Sequence, residues 1–176
     1  MTKDDCINIQ LMFEGGYADV AGDPGGATNF GITQHTLSML RNLPAFDNYP
    51  ASVADLSRDQ AAAIYGAVDW PQIHGDELPP AVACVLLNIA VNEGEGEAAR
   101  ILQAAVRVPV DGIIGPQTLR AVSTWTSAYM PTQTLVEELC ARAAVRYAEL
   151  YGVEGKFELG WMRRLFRLIA LVLTTK

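Results

Sequence analysis

Eleven consecutive residues, Ala81 to Val91, are apolar on nearly every side of a helical wheel. A helix with no polar face is stable only where other elements enclose it, so this segment predicts a central helix with the rest of the chain wrapped around it. Its polar exceptions, Asn88 and the adjoining Asn92, stand four apart and share one face. Gly94 stops the helix.

The surrounding helices are legible too. Asp4–Phe13 places Ile7, Leu11 and Phe13 at roughly helical spacing, with two Asp in the first turn where the helix dipole favours them. Ser57-Arg58-Asp59-Gln60 has the form of a capping box opening a short helix through Ile64 and Tyr65. Glu95–Val106 resumes a helix, Asp111–Gly115 makes a turn, and Pro116 starts the next helix as its first residue. Thr132–Leu150 carries Leu135, Leu139, Ala143 and Tyr147 on one stripe, and a last helix begins near Gly160-Trp161. With half the residues apolar and 19% charged, the chain has material for a real core and is not disordered.

One segment breaks this pattern. Between Tyr17 and Ile32, Gly22, Pro24, Gly25, Gly26 and Gly31 stand among Asp19, Asp23, Thr28 and Asn29. Turns of this density end a helix and suit a small hairpin. The expected fold class is therefore mainly α, with a β patch directly after the first helix. Pro71 and Pro79-Pro80 bracket a connection that suggests two lobes, residues 1–78 and 79–176, within one compact globule.

Charge and cysteine usage narrow the function. Residues 1–78 hold 3 basic and 11 acidic side chains and residues 79–176 hold 10 and 9, giving net −7 overall, which argues against a nucleic-acid partner. Cys6, Cys84 and Cys140 are widely spaced and form no metal-like pattern with His35 or His74, so they read as reduced, buried thiols and no metal or cofactor is expected. The first ten residues lack the basic and apolar regions of a signal peptide, and no run reaches the roughly 18 apolar residues of a spanning helix. The expectation is a monomer made in the cytoplasm.

Carboxylates are then where chemistry is sought. Glu14, Asp23 and Thr28 fall at offsets of nine and five. Cleavage of a glycosidic bond needs an acid to protonate the leaving oxygen and a second polar group to support positive charge or activate water. Glu14, read as the last turn of the first helix, would feel the negative end of its dipole, and Met12 and Phe13 would exclude water, both favouring the protonated form. Asp23, in a polar turn, would stay ionised, and Thr28 would hold the attacking water. On spacing alone, a solvated helix end followed by an ordinary Asp-Pro-Gly turn is the more frequent arrangement.

The stretch Glu14–Thr33, EGGYADVAGDPGGATNFGIT, resembles the signature of glycoside hydrolase family 108, the N-acetylmuramidases of phage and bacteria. Downstream, Ala90-Val91-Asn92-x-Gly94, Leu102-Gln103, Val110–Val122 and Gly160-Trp161 resemble the peptidoglycan-binding region that follows in that family. The chain departs from the pattern at Asn88, where the family often has Asp. The resemblance implies a lysozyme-like architecture and a phage-type endolysin activity. Glu14 would be the general acid in hydrolysis of the β-1,4 bond between N-acetylmuramic acid and N-acetylglucosamine. By analogy with the Glu–Asp–Thr triad of phage-type lysozymes, Asp23 and Thr28 would serve charge and water. Peptidoglycan strands would be the partner, bound through Tyr17, Asn29, Phe30 and Asn92, and the wall would be reached through a holin-type export partner. A lytic transglycosylase built on Glu14 and a non-catalytic wall-binding protein are the rival readings. The basic, apolar stretch from Arg163 to Lys176 suits a helix docked on the core, with a membrane-surface helix as the alternative.

Overall fold

The computed structural model describes residues 1–19, 26–128, 131–151 and 158–175. The fold is mainly helical, with one small two-stranded sheet. Helix α5 (Pro80–Glu93) is the predicted central helix: Val82 through Ile89 are all buried, and the helix packs against α1 (Lys3–Phe13), α6 (Glu95–Ala105), α8 (Thr132–Tyr151) and α9 (Glu158–Thr174). Pro80 is its first residue, where a missing N–H costs nothing, so the Pro pair opens the helix as well as ending the loop before it.

Both ends of the chain converge on this helix. α1 is opened by a capping box in which Thr2 and Asp5 satisfy one another's backbone N–H groups. α3 (Arg58–Ile64) is opened by the expected box of Ser57 and Gln60. The predicted stripe on α8 is buried at Leu135, Leu139, Ala143 and Tyr147. α9 docks Leu165, Leu168 and Val172 into the core and turns Phe166 outward. Among the described residues no helix is long and apolar enough to cross a membrane. Cys6, Cys84 and Cys140 are buried and unpaired by disulfides, as their spacing suggested.

Several short elements are not anticipated by the sequence. α2 (Gln34–Leu40) follows the sheet directly, capped by the Thr33 side chain on the Thr36 N–H. After α3 the chain widens into one π-helical stretch, Tyr65–Asp69, before the short α4 (Trp70–Gln72). Pro71 supplies a reason: it has no N–H to donate, and in a regular helix its ring would crowd the carbonyl four residues back.

The Asp111–Gly115 turn leading into α7 (Pro116–Ala128) is a folding element. The buried Gln103 amide donates to Asp111 Oδ1 (2.6 Å), Ile113 O (3.0 Å) and Thr118 Oγ1 (3.3 Å), and its oxygen accepts from the N–H groups of Asp111 and Gly112. One side chain thus satisfies most of the turn's polar groups. The Gln103 amide, then the Ile113 N–H, holds the Asp111 carboxyl below its usual range.

Asp69, in the wide turn, is affected the other way. Burial first, and then the charge of Glu95, push its carboxyl up from 3.8 to about 6. Between those pH values the folded chain holds a proton that the unfolded chain has released, so stability falls as pH rises from about 4 to about 6 and is level above. Asp69→Asn removes that slope. At pH 7.5 it is expected to stabilise the protein by about 1–2 kcal/mol, or roughly 3–6 °C in Tm, and to change little at pH 4. Thermal denaturation at the two pH values checks this; equal shifts at both would refute it.

Candidate active site

The site is built where the first helix meets the sheet. α1 ends at Phe13, and Glu14 is its C-cap, with extended backbone angles (φ −78°, ψ 142°) and its N–H on Gln10 O. The sequence reading had Glu14 on the last turn beneath Met12 and Phe13. Leaving the helix turns its side chain toward the core instead, and Met12 is 65% exposed and screens nothing.

The chain beyond Glu14 is zipped to the sheet. Strands β1 (Thr28–Asn29) and β2 (Ile32–Thr33) pair antiparallel across a two-residue turn, Phe30-Gly31. Both turn residues have positive φ (52° and 77°), the geometry that matches strand twist in a tight hairpin. Ala18 exchanges two backbone hydrogen bonds with Thr28 (2.8 and 2.9 Å), and the Phe30 N–H donates to Gly15 O at 3.1 Å. Glu14 is therefore clamped between a helix end and a hairpin tip.

Its carboxylate is 13% exposed and strongly held on one side. Oε1 accepts from Gln10 Nε2 at 2.6 Å and from Arg164 Nη2 at 2.7 Å. Gln10 lies one turn back on α1 and is buried; its own amide lies 2.8 Å from the Asn88 side-chain amide of the central helix. Arg164 comes from α9, 150 residues downstream, and lies over the rings of Phe13 (5.1 Å) and Trp161 (5.9 Å). These cation–π contacts fix the guanidinium where the carboxylate needs it.

Oε2 is treated differently. It faces Gly31, where a built Cβ would stand 2.7 Å from Oε2 and 2.6 Å from the Tyr65 hydroxyl. Tyr65, buried at the start of the wide turn, donates to Phe30 O at 2.9 Å and so braces the hairpin beneath Glu14. Burial, then the Glu14 charge, pushes its hydroxyl up, and it stays a donor at any working pH.

The other predicted site residues distribute unevenly. Thr28 is half-buried on β1, on the strand that holds the segment after Glu14. Asp23 lies outside the described residues. Tyr17 is 52% exposed and Phe30 occupies the turn. Asn29 is buried, and its amide donates to Val53 O and Leu56 O at 3.0 and 3.3 Å, anchoring the hairpin to the next loop. Asn92 donates to the Asn88 backbone and side-chain oxygens. Gln10, Arg164 and Tyr65 were missed. Gln10 stands four residues before Glu14, the spacing at which helical side chains meet, and was findable. Among the described residues no cluster of His, Cys, Asp and Glu could hold a metal ion.

Residues 7–94 match the family model described as glycosyl hydrolase 108, and residues 97–166 match one described as a predicted peptidoglycan domain. The structure of SagA from Brucella abortus is similar at a TM-score of 0.76 and 33% identity, over 97% of this chain and 93% of that one. No curated protein sequence matches the chain.

Proposed function

The chain belongs to the glycosyl hydrolase 108 family, a glycoside hydrolase with a peptidoglycan domain after it, and on that premise we propose that it is an N-acetylmuramidase acting on peptidoglycan with Glu14 as the general acid. The unequal setting of the two Glu14 oxygens carries the reading. Oε1 already accepts two N–H donors, so a proton on this carboxyl resides on Oε2. Oε2 borders the hairpin tip, where glycine leaves the least bulk.

Transfer of that proton to the glycosidic oxygen breaks the bond from the anomeric carbon and leaves a negative charge on Glu14. Arg164 and Gln10 are in place to receive that charge without rearrangement, which is where preorganised donors lower a barrier most. Water then adds to the anomeric carbon, the proton it loses returns to the Glu14 carboxylate, and a free reducing end is formed. In this reading Thr28 positions the water, Asp23 supports the developing positive charge, and Tyr17 and Phe30 border the sugar path.

The test is the chemistry of the new ends. Mass spectrometry of fragments released from purified peptidoglycan is expected to show reducing N-acetylmuramic acid. Anhydro-muramic ends would make the enzyme a lytic transglycosylase, and binding without release of fragments would leave a wall-binding protein; either overturns the proposal.

A further inference from the structure

A cleft opens beside Arg164, the partner of Glu14. It measures about 440 Å³ and lies between the end of α1 and the start of α9, lined by Met12, Phe13, Gly160, Trp161 and the three arginines Arg163, Arg164 and Arg167. Arg164 belongs to the catalytic carboxylate. Arg163 and Arg167 are four residues apart on one face of α9 and exposed. Among the described residues neither lies within ion-pair distance of a carboxylate, whereas Arg100, Arg142 and Arg146 are each paired with glutamates. Arg41, Arg58, Arg107 and Arg120 also lack a carboxylate partner among the described residues; what sets Arg163 and Arg167 apart is that they line one cleft with Arg164, the partner of Glu14. Phe13, Trp161 and Met12 add an apolar wall to the same cleft.

We propose that this cleft binds the carboxylates carried on the muramoyl side of the substrate, with Arg163 and Arg167 as their counter-charges. The inference rests on the muramidase reading and adds a specificity determinant to it. Paired guanidinium groups recognise a carboxylate through two parallel N–H bonds each, and an aromatic wall packs the alkyl part of a lactyl group or a short peptide. The cleft shares Phe13 and Arg164 with the site, so a substituent on the sugar held at Glu14 enters it directly. Muramic acid presents such a carboxylate in two forms: the free lactyl acid of a peptide-free glycan, and the acids of the stem peptide.

Calorimetric titration with a soluble disaccharide-tetrapeptide tests this, because that ligand has no bond left to cut and binding is read without turnover. The arms are the native disaccharide-tetrapeptide, the same compound with its carboxylates amidated, and the peptide-free disaccharide with and without its lactyl acid amidated. The wild type is expected to bind at least one free-acid form about tenfold more tightly than its amide, and more weakly as salt is added. Which form shows the difference assigns the source of the carboxylate. The double variant Arg163→Gln, Arg167→Gln is expected to lose that preference and to bind free acid and amide alike. No measurable binding by the wild type, equal binding of acid and amide, or a preference surviving in the double variant would each overturn the proposal. Failure here while reducing ends are still released rejects the cleft alone. Acid-dependent binding without any release of fragments rejects the muramidase reading and leaves the cleft standing.

Discussion

Glu14→Gln is expected to lower the rate of peptidoglycan hydrolysis by about 10³-fold or more while leaving a folded protein that still binds the wall. General acid catalysis alone supplies roughly 10²–10⁴-fold, and the amide cannot supply the proton. Gln is the informative replacement because of how the carboxylate is held. Its single carbonyl can take over both bonds at Oε1, from Gln10 Nε2 and Arg164 Nη2, so the buried amide chain to Asn88 survives. What is lost is the opposite charge beside Arg164, a cost the rings of Phe13 and Trp161 partly offset, so Tm should fall by only a few degrees. Glu14→Ala is a poorer test. It strands a guanidinium whose side chain is only 16% exposed, and leaving a buried charge unpaired costs about 3–5 kcal/mol. Retention of more than about a tenth of wild-type activity by the Gln variant would place the general acid elsewhere.

What the sequence revealed and what it hid divide along a physical line. Elements specified by residues close in sequence were readable: the apolar central helix, the Ser57/Gln60 box, the stripe on α8, and the breakdown of helix before the hairpin. Glu14 was readable as a candidate because a carboxylate at a helix end followed by turns is a local pattern. Its partner Arg164 was not, since nothing in a basic, apolar tail says that one of its arginines crosses 150 residues of chain to reach α1. The anchoring bonds of Asn29 were hidden for the same reason: a polar residue in a turn-rich stretch shows no partner until the carbonyls of Val53 and Leu56 are seen to lie within reach. The Asn88 departure from the family pattern also makes sense only in three dimensions. The Asn88 amide lies within hydrogen-bond distance of both Gln10 and Arg164, residues 78 and 76 positions away from it along the chain.

The hairpin tip gives the second large effect. Gly31→Ala is expected to reduce activity by about 10²-fold and stability by roughly 2–3 kcal/mol. Two causes act at one atom. The residue has φ +77°, a region where a Cβ carries a strain of about 1–2 kcal/mol. The added Cβ would also stand 2.6 Å from the Tyr65 hydroxyl and 2.7 Å from Glu14 Oε2, so one of those groups must move. Moving Tyr65 breaks its bond to Phe30 O and loosens the turn; moving Glu14 spoils its bonds to Gln10 and Arg164 and displaces Oε2. Activity should therefore fall further than the fraction unfolded accounts for, which rates measured well below Tm will separate from simple destabilisation. Gly16→Ala serves as the control for stability, because nothing lies within 4 Å of its Cβ position and its φ is not in the left-handed region. It should match the wild type in Tm. If Gly31→Ala did so too, with full activity, the hairpin tip would not be what holds Glu14 in place.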